Sequence, residues 1–111
     1  MRKFLSIFIL LLISLIHYAQ AADRVWLGGA DTNFHDANNW QDGILPGVHD
    51  IAVFNGLAVN NAIISNNISV GGFRLEATFL GSILHLSGKI TISTGGYLQD
   101  GGTFVGGTSP M

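Results

Sequence analysis

ANNWQDGILPGVHDIAVF, residues 37–54, decides how the rest of this 111-residue chain is read. It opens on two amides beside a Trp, passes a Pro-Gly, and ends in a strand-like apolar run with very little charge. Such a passage is a catalytic loop, a metal loop or a structural device. What flanks it on either side narrows the choice.

Upstream, Met1-Arg2-Lys3 is a positive start and Phe4 to Ile16 is apolar except for Ser6 and Ser14. Ala19-Gln20-Ala21 then matches the small-x-small pattern that signal peptidase reads. Residues 1–21 therefore read as a secretory signal peptide, cleaved after Ala21 or Ala22. A membrane anchor is the alternative, but thirteen residues span about 20 Å, short of a hydrocarbon core of about 30 Å. No membrane span is expected in the mature chain. The chain has no Cys, which excludes lipid attachment at the new N-terminus and any disulfide framework.

Cleavage would leave three basic residues, Arg24, Arg74 and Lys89, against seven acidic ones, a net charge of −4. With no basic patch to hold phosphates, nucleic acid is not an expected partner. About ninety residues suffice for one small domain. All fifteen Gly fall after residue 21, and Asn, Ser and Thr supply most of the polarity. Helix is disfavoured by that composition.

Downstream, from Gly56 to Thr108, short apolar runs alternate with Gly, Asn and Ser. Ile68/Val70, Phe73/Leu75, Leu84/Leu86 and Ile90/Ile92 show the period of two that marks strands with one buried face. On that phase His85, between Leu84 and Leu86, should point outward. The breaks include Asn66-Asn67, Gly71-Gly72, Ser87-Gly88 and Gly95-Gly96, residues that tolerate tight corners. Two all-β architectures fit. One is a small antiparallel β-sandwich with hairpins at Asp42-Gly43, Asn55-Gly56 and Asp100-Gly101. The other is a parallel β-solenoid of about three coils, each of roughly twenty residues. Cadence alone does not separate them.

Val25-Trp26-Leu27-Gly28-Gly29, then Asn38-Asn39-Trp40, Gly43, Pro46-Gly47, Asp50 and Ala52-Val53-Phe54, resembles the start of bacterial autotransporter passengers and related adhesin-like surface proteins. Gly101-Gly102-Thr103-Phe104 is similar to the coil turns of such proteins, and Phe34 stands where they often carry another Trp. The resemblance implies a right-handed parallel β-solenoid, with residues 22–55 as an N-terminal cap region and 56–111 as coils. It implies a structural cap made by Trp26, Asn39, Trp40, Pro46 and Asp50. An uncapped solenoid end exposes apolar side chains and unpaired backbone groups, a template for aggregation. Two indoles, each burying on the order of 200 Å², would cover it. Asn38 and Asn39 would bond nearby backbone, Pro46 would fix the turn, and Asp50 would accept backbone N–H groups leading into 51–54. The chain breaks off after Gly106-Gly107-Thr108-Ser109-Pro110 in mid-cadence, so the solenoid is expected to be truncated.

Other chemistry fares worse. Asp31, Asn33, Asp36 and Asp42 are weak calcium candidates: the stretch lacks the Gly and Glu that an EF-hand loop needs at its sixth and twelfth positions. The nonapeptide calcium pattern fails too, because Gly28-Gly29-Ala30 is followed by Asp31 where Gly is required. His35-Asp36 and His49-Asp50 lack zinc-ligand spacing, and neighbours along a strand face apart. Glu76 and Asp100 with Arg74 and Lys89 are too scattered for a glycosidase or lyase, and Arg74 with Glu76 reads as a solvent pair. Asn67-Ile68-Ser69 matches a glycosylation sequon but reads as corner chemistry. No catalytic residue, cofactor or metal is expected. The resulting expectation is an exported structural or adhesive cell-surface module whose partner is a glycan, a host-surface protein or further copies of itself. The alternatives are a fragment of a polysaccharide-acting β-helix protein and a sandwich that binds sugar through Trp26 or Trp40.

Overall fold

The computed structural model describes residues 21–106, so the expected signal peptide, apart from Ala21, lies outside the described residues. Seven strands account for most of the regular structure: β1 (Asp23–Val25), β2 (Ile51–Phe54), β3 (Ala62–Ile64), β4 (Ile68–Leu75), β5 (Ser82–His85), β6 (Ile90–Gln99) and β7 (Thr103–Gly106). Among the described residues helix is confined to two 3₁₀ turns, Ala37–Asn39 and Gln41–Gly43. This follows from the Gly- and Asn-rich composition, which resists helix and favours corners.

The strands form two sheets, one in the order β1-β2-β4-β6 and the other β3-β5-β7. Every ladder between these strands is parallel. From β2 onward the chain alternates between sheets, and neither sheet closes on itself. From β2 onward partners recur at offsets of 21 to 24: Ala62 lies beside Ile83 and Ile83 beside Phe104, each 21 positions on, whereas Ile68 lies beside Ile90 and Gly72 beside Gly96. Ile51 pairs with Gly72 in the other sheet, also 21 positions on.

Parallel ladders overturn the antiparallel sandwich and its hairpins. Asn55-Gly56 and Asp100-Gly101 instead carry the chain from one sheet to the other, between β2 and β3 and between β6 and β7. Asp42-Gly43 ends the second 3₁₀ turn, both residues at positive φ. Gly at a corner has a steric reason at Gly88, where φ is +89° and a Cβ would collide with the backbone of Asn66.

A second correction concerns phase. Ile83 is fully buried, Leu84 is half-buried and Leu86 is exposed. The register sets His85 beside the buried Ile64, and Leu84 beside Ile63. The inward series is therefore Ile83/His85, and His85 does not point outward as the Leu84/Leu86 phase required. In Ser82-Ile-Leu-His-Leu86 both phases carry apolar residues, and a one-residue slip exchanges the faces. His85 sits at the end of its strand, half-buried, with Nε2 2.6 Å from the Gly88 carbonyl oxygen.

The core runs between the sheets and is largely aromatic. Phe54 stacks on Phe73 at 6.1 Å with an interplanar angle of 10°, Phe79 lies 5.4 Å from Phe54, and Phe104 meets Phe73 edge-on at 6.0 Å. Offset and edge-on arrangements of this kind add to the stabilisation from burial alone. On the outer face Val53 is only 2 % exposed. Its register neighbour Arg74 forms an ion pair with Asp23, two strands away across β2, so the long side chain roofs Val53.

Candidate functional site

The 37–54 passage and the loop before it close over one end of this core. Trp26 and Trp40 are 0 % and 2 % exposed, their rings edge to face at 5.3 Å. Phe34 stacks on Trp26 at 6.5 Å and 13°, and meets Trp40 edge-on at 5.0 Å. Phe54 lies beneath both indoles, at 6.1 and 5.8 Å. A ring thus occupies the Phe34 position after all. Each indole N–H is paired with a backbone carbonyl, Trp26 Nε1 donating to Asn60 and Trp40 Nε1 to Phe34, both at 2.9 Å. With both rings buried and both N–H groups used, neither Trp is available to a sugar, which removes the sandwich-type binding site.

Asn39 is the fully buried polar residue of this end. Its Oδ1 accepts the backbone N–H groups of Ala30 and Asp31 at 2.8 and 2.9 Å. Its Nδ2 donates to Asp31 Oδ1 at 2.7 Å and to the Asn33 carbonyl at 2.9 Å. All the capacity of a buried amide is used, which is what burial demands. Asn38 is exposed, and its backbone N–H donates to Asp36 Oδ1.

Asp50 ties the Pro-Gly turn to the start of β1. Oδ2 accepts the Gly47 N–H at 2.8 Å and Arg24 Nε at 3.3 Å, and Oδ1 accepts the Ala22 N–H at 3.2 Å. Burial pushes this carboxyl up, but the Gly47 and Ala22 N–H groups and the Arg24 guanidinium together hold it below the usual range. Pro46 lies beside Phe34 and His35 in a shallow cleft of about 200 Å³ over the first half of β4.

The calcium candidates are not brought together as a ligand set. Asp31, Asn33 and Asp36 each spend Oδ1 on the N–H two residues on, and Asp42 stands apart on its own turn. The Asn33 N–H and the Asn39 amide lower the Asp31 carboxyl. The His-Asp neighbours also diverge: His35 Nε2 accepts the Ser65 N–H at 3.0 Å, while His49 is exposed. Arg74 lies 3.3 Å from Glu76 as well as pairing with Asp23, and Asp23 foremost raises its pKa. No three His, Cys, Asp or Glu side chains gather at ligand distance among the described residues.

One feature escaped the sequence reading. The corners after β2 and β4, residues 55–61 and 76–81, enclose an open cleft of about 330 Å³. Asn55, Asn60, Asn61 and Thr78 supply its polar lining, with Val59 and Leu80 as aliphatic edges. The signal was present as Leu57-Ala58-Val59, a short apolar run before Asn60-Asn61, of which Ala58 packs against the core while Leu57 and Val59 stay exposed. Compared with family models, curated proteins and solved structures, the chain matches none.

Proposed function

We propose that this chain is an exported cell-surface module: the capped N-terminal part of a right-handed parallel β-solenoid that presents binding surface and performs no catalysis. The burial of both indoles over the end of the aromatic core is the observation that carries this reading. Rings that line a reaction centre or a sugar platform stay accessible, whereas these serve as a plug. Asn39 and Asp50 agree with it, because their polar atoms bond backbone groups and the Asp31 and Arg24 side chains rather than standing ready for substrate. An offset of 21 residues in three of the ladders, and of 22 to 24 between β4 and β6, supports coils, and crossovers that return to the same parallel sheet are overwhelmingly right-handed. Residues 1–21 supply the export signal. The resemblance to autotransporter passengers supports an adhesive role at the outer membrane.

Expression of the full chain in a Gram-negative host tests this. The exported protein is expected to begin at Ala22 or Asp23 by mass, and cells displaying it should adhere to glycan- or protein-coated surfaces better than cells without it. A product that keeps residues 1–21 inside the cell, or display without any gain in adherence, would overturn the reading.

A further inference from the structure

We propose that the cleft between the 55–61 and 76–81 corners is a binding site for a neutral glycan. The inference rests on the surface-module reading and names the place and the ligand chemistry.

The first observation is electrical. None of the ten residues lining the cleft is charged or titratable. With the leader removed the chain carries a net charge of −4. Anionic sugars would meet repulsion and no counter-charge, so the chemistry favours an uncharged ligand.

The second is the state of the amides. Asn55 Oδ1 accepts the Leu57 N–H at 3.0 Å, and Asn61 Oδ1 accepts the Ser82 N–H at 2.9 Å. Thr78 Oγ1 accepts the Gly56 N–H at 3.0 Å. Each is anchored through its oxygen, which leaves two Nδ2 groups and one hydroxyl hydrogen as donors. Asn60 is anchored the other way, Nδ2 donating to the Gly28 carbonyl at 2.6 Å, which leaves Oδ1 as an acceptor. Backbone anchoring fixes these side chains before a ligand arrives, so little rotamer entropy is lost on binding. It also fixes which amide end is which. Gly81 sets how close Asn61 sits, since a Cβ there would come within 2.8 Å of Asn61 Oδ1. Donors beside an acceptor match sugar hydroxyls, each of which gives one hydrogen and accepts others.

The third is apolar. Leu80 is 93 % exposed and Val59 is 73 % exposed, on two successive corners at the cleft edge. The fold gains nothing from leaving them in water. Aliphatic edges beside fixed amides suit the C–H faces of a pyranose ring. The volume, about 330 Å³, lies at the lower end for small-ligand sites and fits a short saccharide rather than a large cofactor.

The test is a titration of the purified protein, followed by ¹H–¹⁵N NMR, with maltotriose, cellotriose, chitobiose and lactose. Trigalacturonate and sialyllactose serve as charged controls. At least one neutral sugar is expected to shift the Asn55 and Asn61 side-chain amides and the Leu80 N–H, saturating at about millimolar concentration. Asn61→Asp keeps the oxygen that holds Ser82 while removing the donor, and Leu80→Ser alters only an exposed side chain. Both variants should keep the parent's urea midpoint and bind the sugar about tenfold more weakly. The proposal is overturned if no neutral sugar moves these signals, if the charged sugars bind as well, or if the variants leave affinity unchanged. Loss of cell adherence in Leu80→Ser without any sugar response would instead mark a protein-docking corner, which also overturns it. A protein that is exported and adhesive but indifferent to these sugars refutes this inference alone. One retained in the cytoplasm refutes the surface reading, while the titration still reports on the cleft.

Discussion

Asn39 and Asp31 clamp each other twice: Asn39 Nδ2 donates to Asp31 Oδ1 at 2.7 Å, and Asn39 Oδ1 accepts the Asp31 backbone N–H at 2.9 Å. The clamp joins the first 3₁₀ turn to the loop that follows Trp26, and so holds the indoles in place. Replacing Asn39 with Ala strands several polar groups at once, and is expected to cost about 2–3 kcal/mol. Asn39→Asp should be at least as damaging at neutral pH, because it removes two donors and sets a second carboxylate against Asp31. It should recover in part as the pH falls and a carboxyl is protonated. Urea midpoints at neutral and acid pH measure both effects.

The strand cadence was legible because Gly and Asn punctuate it at regular intervals, but the pairing partners were not. Parallel and antiparallel ladders need the same period of two, and Asn55-Gly56 reads equally well as a hairpin or as a corner between sheets. The face of β5 was misread because Ile83 and Leu84 are equally apolar, and only the neighbouring strand fixes the phase. Trp26 and Trp40 were legible as packing residues through a resemblance, not through any periodicity. Asn55 and Asn61 look like ordinary turn residues, and half of each is. The unused half that makes a cleft shows only when two corners are stacked.

Trp40 fills the space between Phe34 and Phe54 and donates to the Phe34 carbonyl. Trp40→Ala is expected to cost about 3–5 kcal/mol, a large share of the total stability of about 5–15 kcal/mol typical of a domain. Trp40→Phe keeps most of the ring contacts and leaves one buried carbonyl unpaired, so about 1–3 kcal/mol is expected. In the parent both indoles should emit at short wavelength and resist quenching by acrylamide. The alanine variant should expose Trp26 and lose that protection. Chemical denaturation followed by fluorescence reports stability and exposure together.

Arg74 both pairs with Asp23 and covers Val53, and the two roles separate by mutation. The charges are partly exposed, so Asp23→Asn should cost no more than about 1 kcal/mol and vanish in high salt. Arg74→Met keeps an aliphatic cover and should behave like Asp23→Asn. Arg74→Ala uncovers Val53 and should be worse than either, with a loss that salt does not remove. Thermal melts of the three variants at low and high salt decide it.

Gly88 and Gly43 both hold positive φ, but only Gly88 is hemmed in by backbone. Gly43→Ala pays the conformational cost of a left-handed residue alone, about 1–2 kcal/mol. Gly88→Ala must also displace the Asn66 corner, and should cost clearly more. Amide exchange should then rise at Ile68 and Leu86, whose N–H groups bond to Lys89 and Ile64 beside that corner. Equal losses in the two variants would mean that the corner yields freely.

His35 gives the protein an acid-sensitive contact. Burial lowers its pKa, and Nε2 serves as acceptor for the Ser65 N–H, a role open only to the neutral ring. The sign follows from linkage. Because the folded value lies below the unfolded one, the His35 contribution is fully present above about pH 6.5. It declines as the unfolded chain takes up the proton, and is gone once the pH has fallen through the folded value. Asp50 and Asp31, both also lowered, add a second loss beginning below about pH 3.9. Stability plotted against pH should therefore fall in two steps. His35→Gln, whose side-chain oxygen can still accept from Ser65, should remove the first step and leave the second, whereas Asp50→Asn should leave the first and shrink the second to the share that Asp31 contributes. Urea midpoints between pH 3 and pH 8 trace both steps, and a single carboxylate-range transition in the parent would remove His35 as the sensor.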